Sequence, residues 1–234
     1  GVEIEWLGKP DFPPFVLTTV GLPGGRVIVD MEESSQYLSG LLLAAPMARN
    51  TLAIEIGGNK TVSWPYVALT LQTLLDFGLD VSIEKRVSGH WDPTPLSQAS
   101  GFQPGEARFV VRPGNYQPGN YQVEGDWSNA SYSLAAGAIG PNPVTVTGLR
   151  PDSLQGDRAI LDILESMGAT VAWNENDVTV SPPAGGLRGL DVDMGSCPDL
   201  VPTVAVTAAL AQGETVIRNV AHLRIKESDR LAAL

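Results

Sequence analysis

The sequence predicts an α/β fold built from a repeated β-α-β-α-β-β unit. Three observations carry that expectation. Strand and helix signals alternate along the 234 residues. A helix-ending signature occurs twice: Leu74-Leu75-Asp76-Phe77-Gly78-Leu79-Asp80-Val81 has the pattern of Leu164-Glu165-Ser166-Met167-Gly168-Ala169-Thr170-Val171. In each, Leu faces inward, Gly stops the helix and a β-branched residue starts a strand. The composition, 43% hydrophobic and 18% charged with 25 Gly and 18 Pro, is that of a globular α/β or α+β chain. It excludes a disordered chain, a coiled coil and a disulfide scaffold. The length suits one large domain or two small ones.

The elements follow in order. Val27-Ile28-Val29 is a short strand, and Ser34-Ser35-Gln36 opens a helix with Leu38, Leu41, Leu42 and Ala45 on one face. Leu52 to Ile56 is a strand closed by Gly57-Gly58. Ser63 is an N-cap, with Pro65 in the first turn, for a helix ending before Gly78. Val81-Ser82-Ile83 and Phe109-Val110-Val111 are strands; the polar stretch between Val87 and Ala107 is long for a hairpin loop. In the second half, Trp127 to Ile139 is a helix and Val144-Thr145-Val146 a strand. A helix carries Ile160, Ile163, Leu164 and Met167, and strands follow near Val171 and Val178. A third copy begins near Leu190, with its second helix starting near Lys226. Pro113-Gly114-Asn115-Tyr116-Gln117 is repeated at once as Pro118-Gly119-Asn120-Tyr121-Gln122 and marks an interdomain linker or an extended loop.

The net charge of -11 and pI near 4.5 argue against a nucleic-acid binder and against docking on an anionic membrane. Small anionic ligands stay open, because a few local cations overcome a remote negative field. No apolar stretch approaches the roughly 20 residues that span a bilayer, and no secretory leader is recognisable. The lone Cys197 allows no internal disulfide, which fits a reducing cytoplasm. His90 and His222 lack partners at metal-ligand spacing, so no metal site is expected.

The richest segment is Arg224-Ile225-Lys226-Glu227-Ser228-Asp229-Arg230. On a helix, Lys226 and Arg230 share a face and Glu227 and Arg230 can pair. Two cations beside a carboxylate can grip an anion with a proton-transfer group close by; the same run also reads as a solvated face. Ser34-Ser35-Gln36, and Ser63 with Tyr66, stand at helix starts, where hydroxyls and free N–H groups serve either as caps or as an anion site. Asp199, after Cys197-Pro198, is a third helix start. It is a cap or a carboxylate able to accept a hydroxyl proton.

Taken together, Ser34-Ser35-Gln36-Tyr37-Leu38-Ser39, Val123-Glu124-Gly125-Asp126 with Ala130-Ser131-Tyr132, Pro198-Asp199 and Lys226-Glu227-Ser228-Asp229-Arg230-Leu231 resemble the 5-enolpyruvylshikimate-3-phosphate (EPSP) synthase family, the 3-phosphoshikimate 1-carboxyvinyltransferases. The resemblance implies an incomplete form of the two-domain inside-out barrel fold of enolpyruvyl transferases, with residues 1–123 in one domain and 124–234 in the other. It implies transfer of an enolpyruvyl group from phosphoenolpyruvate to the 5-hydroxyl of shikimate-3-phosphate, with release of phosphate and no metal or organic cofactor. Carried over by position, Ser34, Ser35 and Ser63 hold the substrate phosphate, and His222 stands beside it where some members have Asn. Gln36 and Tyr66 contact the ring and the incoming group. Asp199 orients the 5-hydroxyl and takes its proton, helped by Lys226. Glu227 protonates the methylene of phosphoenolpyruvate, and Arg230 clamps that substrate.

The pattern is not fully present. The family's Lys-Ser segment with its Arg, its Asn-Ala-Gly-Thr-type loop, its His-Arg pair and its final Lys are missing from these residues. The chain therefore reads as a central portion of such an enzyme, with negligible turnover of its own and self-association as a way to cover exposed core. Two rivals are a UDP-N-acetylglucosamine enolpyruvyl transferase, which uses a mobile-loop Cys unlike Cys197, and a folded fragment without catalysis.

Overall fold

The computed structural model describes residues 2–98 and 101–234. They gather into two compact units, Gly1–Thr61 with Thr70–Gly119, and Val62–Leu69 with Asn120–Leu234. The division after Gly119 falls inside the duplicated Pro-Gly-Asn-Tyr-Gln stretch. The segment Val62–Leu69, expected with the first domain, groups with the second unit.

The first unit opens with a hairpin that sequence patterning did not single out, β1 (Val2–Trp6) and β2 (Phe15–Thr19). Then come β3 (Gly25–Asp30), α1 (Gln36–Ala44), β4 (Leu52–Gly57), α2 (Trp64–Asp76, its later turns in this unit), β5 (Val81–Val87), β6 (His90–Thr94) and β7 (Ala107–Val111). The last five strands form one sheet in the order β3-β4-β7-β5-β6. β3 and β4 are parallel, as a helical crossover requires, and the other pairs are antiparallel. Leu38 and Leu42 of α1 and Leu71 and Leu74 of α2 are fully buried, with Ile54 and Phe109 of the sheet. The two helices are also joined by a bond from the Thr70 hydroxyl to Ser39 Oγ, 3.0 Å. The polar stretch after Val87 is not one long loop. Part of it is β6, paired along β5, where Pro93 is tolerated because β6 is an edge strand. Residues 99–100 lie outside the described residues.

The second unit contains α3 (Trp127–Ile139), β8 (Val144–Val146), α4 (Ile160–Ser166), β9 (Thr170–Asn174) and β10 (Asp177–Ser181). These strands form an antiparallel sheet in the order β8-β10-β9. The next elements are β11 (Asp191–Asp193), α5 (Val201–Ala209), β12 (Val216–Arg218) and α6 (Arg230–Ala233), with β11 parallel to β12. Asp126 caps α3, accepting from the N–H of Ser128 at 2.8 Å. The core is continuous through Trp127, Leu134, Ile160, Leu164, Val178 and Val180, all fully buried. Gly137 lets α3 lie against the sheet: a Cβ there would sit 2.7 Å from the Val180 carbonyl oxygen.

The repeat is structural as well as sequential. The order β4-β7-β5 in the first unit matches β8-β10-β9 in the second, and β3-α1-β4 matches β11-α5-β12. The recurring signature is a helix stop closed by two backbone bonds. Leu79 N–H reaches Leu74 O and Gly78 N–H reaches Leu75 O, both at 3.0 Å; Ala169 N–H reaches Leu164 O at 3.0 Å and Gly168 N–H reaches Glu165 O at 2.8 Å. The two glycines have φ of +73° and +106°, in the left-handed region where a side chain is strained. The fold is thus α/β with repeated units, and its four sheets stay open and separate among the described residues.

One expected element changes character. Lys226 to Arg230 is not a helical turn. A 3-10 turn spans Ala221–Ile225, Lys226 is extended, and α6 begins only at Arg230, capped by Asp229, whose side chain accepts from Ala232 N–H at 3.0 Å.

Candidate active site

The second unit brings together five of the residues singled out by sequence. Asp199 lies in a 3-10 turn, Pro198–Leu200, that leads into α5. Its Oδ2 accepts from the Tyr66 hydroxyl at 2.7 Å, and its Oδ1 accepts from Arg230 Nη1 at 2.7 Å. Arg230 Nη2 donates to Glu227 Oε2 at 2.7 Å. One guanidinium thus bridges two carboxylates, the fork geometry that Arg alone provides. Lys226 adds positive charge to the field at Asp199 and at Glu227. The expected pairing of Glu227 with Arg230 holds, although an extended Lys226, not a shared helical face, places the second cation.

The electrostatics divide the two carboxylates. Burial pushes Asp199 up, but bonds from Tyr66 and Arg230 and the charges of Arg230 and Lys226 outweigh it, so its pKa is lowered. Glu227 is held below its ordinary value by a backbone N–H bond and by Arg230. Its side chain is 80% exposed, against 38% for Asp199 and 28% for Arg230. Glu227 is therefore a carboxylate at neutral pH, whereas its expected role as an acid calls for a raised pKa. The Tyr66 phenol is pushed far upward by burial first, then by Asp157 and by its bond to Asp199. It is a hydrogen-bond donor at all ordinary pH.

Tyr66 is aimed by an unusual start to α2. Ser63 has φ +55°, the left-handed region that non-glycine residues rarely adopt, instead of the extended conformation of an ordinary N-cap. Its N–H reaches Gly195 O at 3.3 Å, and Tyr66 N–H reaches Ser63 O at 3.2 Å. Gly156 fits where Pro65 and the segment before Asp199 meet: a Cβ there would lie 2.7 Å from Ser196 O and 3.0 Å from Pro65 Cγ. Next to it is Asp157, which sequence reasoning did not mark. It is buried, accepts from the Ser128 hydroxyl, and leaves Oδ1 without a hydrogen-bond partner. Burial, with the charges of Asp199 and Asp126, raises its pKa. The only cue was Gly156-Asp157 ahead of the apolar run at Ile160, which reads as a helix start.

The remaining predicted residues sit differently. His222 is buried in the 3-10 turn beside Leu223. Ser34, Ser35 and Gln36 belong to the first unit, at the start of α1. There Ser34 Oγ accepts from Gln36 N–H at 3.1 Å, Ser35 is buried and Gln36 is exposed. Cys197 is buried, and burial together with Asp157, Asp193 and Asp199 pushes its thiol up to about 12. It is a packed, unreactive thiol.

A cluster in which a cation-bridged carboxylate is oriented by a phenol suits anionic, hydroxyl-bearing substrates. Comparison with known proteins sharpens this. A family model described as EPSP synthase (3-phosphoshikimate 1-carboxyvinyltransferase) matches residues 1–234. The chain belongs to the EPSP synthase family. The 3-phosphoshikimate 1-carboxyvinyltransferase of Pasteurella multocida (strain Pm70) is 42% identical over 237 residues, covering 100% of this chain and 48% of the relative. That of Haemophilus influenzae (strain PittEE) is 40% identical and covers 100% of this chain and 49% of the relative. The chain thus spans about half the length of the curated relatives it matches. The EPSP synthase structure from Acinetobacter baumannii superposes with a TM-score of 0.67 at 25% identity, covering 99% of this chain and 48% of that one. The enolpyruvyl transferase NikO from Streptomyces tendae shares the fold, with a TM-score of 0.62 at 20% identity over 93% of this chain. Family membership accords with the repeated β-α-β-α-β-β unit and its open sheets.

Proposed function

We propose that this chain carries part of the active site of a 3-phosphoshikimate 1-carboxyvinyltransferase. The reaction moves an enolpyruvyl group from phosphoenolpyruvate to the 5-hydroxyl of shikimate-3-phosphate and releases phosphate. The supporting observation is the Tyr66–Asp199–Arg230–Glu227 chain of hydrogen bonds, 2.7 Å at each link. Both substrates are polyanions, so positioning and charge neutralisation dominate the catalytic task.

In this reading, Asp199 orients the 5-hydroxyl and accepts its proton, with Lys226 beside it. Arg230 is the switch. While it grips Asp199 and Glu227, both carboxyls stay deprotonated. A substrate carboxylate or phosphate that draws Arg230 away removes the hydrogen bond and charge with which it adds to the backbone N–H bond in holding Glu227 low, and the anion beside it favours the protonated carboxyl. That proton goes to the methylene carbon of phosphoenolpyruvate as the 5-hydroxyl oxygen bonds to the adjacent carbon. Loss of phosphate and of a methyl proton from the tetrahedral adduct, taken by Glu227, restores the double bond. Ser63, Tyr66 and His222 in the second unit, and Ser34, Ser35 and Gln36 in the first, are the remaining residues proposed for substrate contact, each by the family resemblance. The proposed domain boundary at 123/124 lies close to the division after Gly119, while Val62–Leu69 goes with the second unit; the proposed setting is cytoplasmic.

Calorimetric titration tests the reading, with shikimate-3-phosphate in one series and UDP-N-acetylglucosamine in the other. Weak binding of the first, further weakened in Ser63→Ala, is expected; binding of the nucleotide sugar alone would overturn it. The buried Cys197, with its thiol raised to about 12, supports no reading that needs a loop cysteine as reactive group.

A further inference from the structure

Among the described residues of the second unit, Asp157 is the buried carboxyl to which the proposed reaction gives no task; it is 2% exposed. It sits in a 3-10 turn, Gly156–Ala159, that its neighbours hold in place. Gln155, just before the turn, accepts from Trp127 N–H at 2.9 Å through Oε1 and donates to Gly125 O at 2.9 Å through Nε2, which fastens the turn to the start of α3. Gly156 packs against Ser196 and Pro65, the segments that bring in Asp199 and Tyr66. The Ser128 hydroxyl of α3 donates to Asp157 Oδ2, while Oδ1 is buried without a partner. The frame continues to the helix behind Asp199: Ser131 Oγ donates to Ser128 O at 2.7 Å and meets Thr203 Oγ1 of α5 at 3.1 Å. Asp157 is therefore fixed in position, and only its charge can adapt.

Asp199 and Asp157 share neighbours but not partners. Asp199 is 38% exposed and takes two donors, one of them a guanidinium. Asp157 takes one neutral hydroxyl. Among the described residues, no Lys or Arg forms a salt bridge with it, and the charges acting on it are the carboxylates of Asp199 and Asp126. The other titratable groups that face it are the Tyr66 phenol of α2 and the Cys197 thiol, both neutral at ordinary pH. A carboxyl shut away from water with no cation takes up a proton. Burial and its two like-charged neighbours raise the Asp157 pKa, in keeping with that geometry.

We propose that Asp157 is a positioning residue that stays a neutral acid, so that the Asp157–Asp199 pair carries one negative charge and Asp199 alone is the base. The base role of Asp199 rests on the proposed function; the neutrality of Asp157 does not. Two carboxyls pushed to opposite protonation states by their surroundings are the arrangement that separates an acid from a base. A second carboxylate here would repel a polyanionic substrate. It would also drive Asp199 toward its protonated form, which accepts no proton.

Carbon-13 NMR of the labelled, ligand-free chain tests this by following the Asp157 and Asp199 carboxyls through a pH titration. As pH rises from acid, Asp199 ionises first, below the ordinary carboxylate value, and Asp157 later, above it. Asp157→Asn, neutral and of the same shape, leaves the Asp199 midpoint unshifted, because position 157 is uncharged in both chains while Asp199 titrates. Stability gives a second readout. A raised folded pKa contributes fully below the unfolded value, near about 4, and the contribution is lost as pH climbs from there through the folded value. The parent chain declines across that window relative to Asp157→Asn. Asp157 ionising together with or before Asp199, a shifted Asp199 midpoint in Asp157→Asn, or an equal pH dependence of the two chains would overturn the proposal. If the variant does not fold, the order of the two titrations in the parent decides alone. Failure of shikimate-3-phosphate to bind, by contrast, would strike the proposed function and leave these titrations as they are.

Discussion

Two helix starts illustrate two ways of preparing a polar site. At α1, Ser34 satisfies a backbone N–H two residues away, and α1 has no acidic residue in its first turn. At the turn leading into α5, Asp199 is bound by Tyr66, 133 positions away in sequence, and by Arg230, 31 positions away. The first arrangement is local and costs little to form or lose. The second is assembled only when the second unit folds, so its geometry and its charge state are properties of the tertiary structure. A local cap offers a hydroxyl; the assembled site offers a carboxylate with a lowered pKa and a cation already oriented.

The sharpest way to break this contrast is Asp199→Ala. It leaves a half-buried guanidinium and a half-buried phenol without their shared acceptor, and we expect a loss of about 2 kcal/mol on chemical denaturation. Acid should erode the same interaction more gently. The folded-state pKa of Asp199 is lowered, so its contribution is complete above the unfolded carboxylate value, near about 4, and disappears as pH falls through the lower folded value. Stability measured against pH should fall less steeply in that window for Asp199→Ala than for the parent chain. Tyr66→Phe keeps the ring and removes one bond to a carboxylate that retains Arg230, with an expected loss of about 1 kcal/mol. Ser34→Ala removes only the local bond, and about 0.5 kcal/mol is expected. A Ser34→Ala effect as large as that of Asp199→Ala would erase the distinction.

Most of the architecture was legible because its signals are local. Gly78 and Gly168 announce helix stops, and each is closed by backbone bonds within a few residues. The misses share a cause as well. β1, β2 and β6 are short edge or isolated strands, and β6 contains Pro93, so periodicity is weak where pairing is one-sided. The helical reading of Lys226 to Arg230 failed because Ser228-Asp229 is itself a start signal, and Asp229 caps α6. The Glu227–Arg230 pair survived that error, since a three-residue spacing is short enough to close in a turn as well. The role of Arg230 as a bridge between two carboxylates had no sequence signal, because Asp199 is remote along the chain.

Ser63 has a consequence for engineering. Its backbone occupies a conformation that suits glycine and disfavours an L side chain by roughly 1–2 kcal/mol. A glycine there would relax the turn and make the chain harder to melt, while deleting the hydroxyl. Ser63→Gly therefore separates two contributions of one residue: melting reports the strained backbone, and phosphate binding reports the lost oxygen.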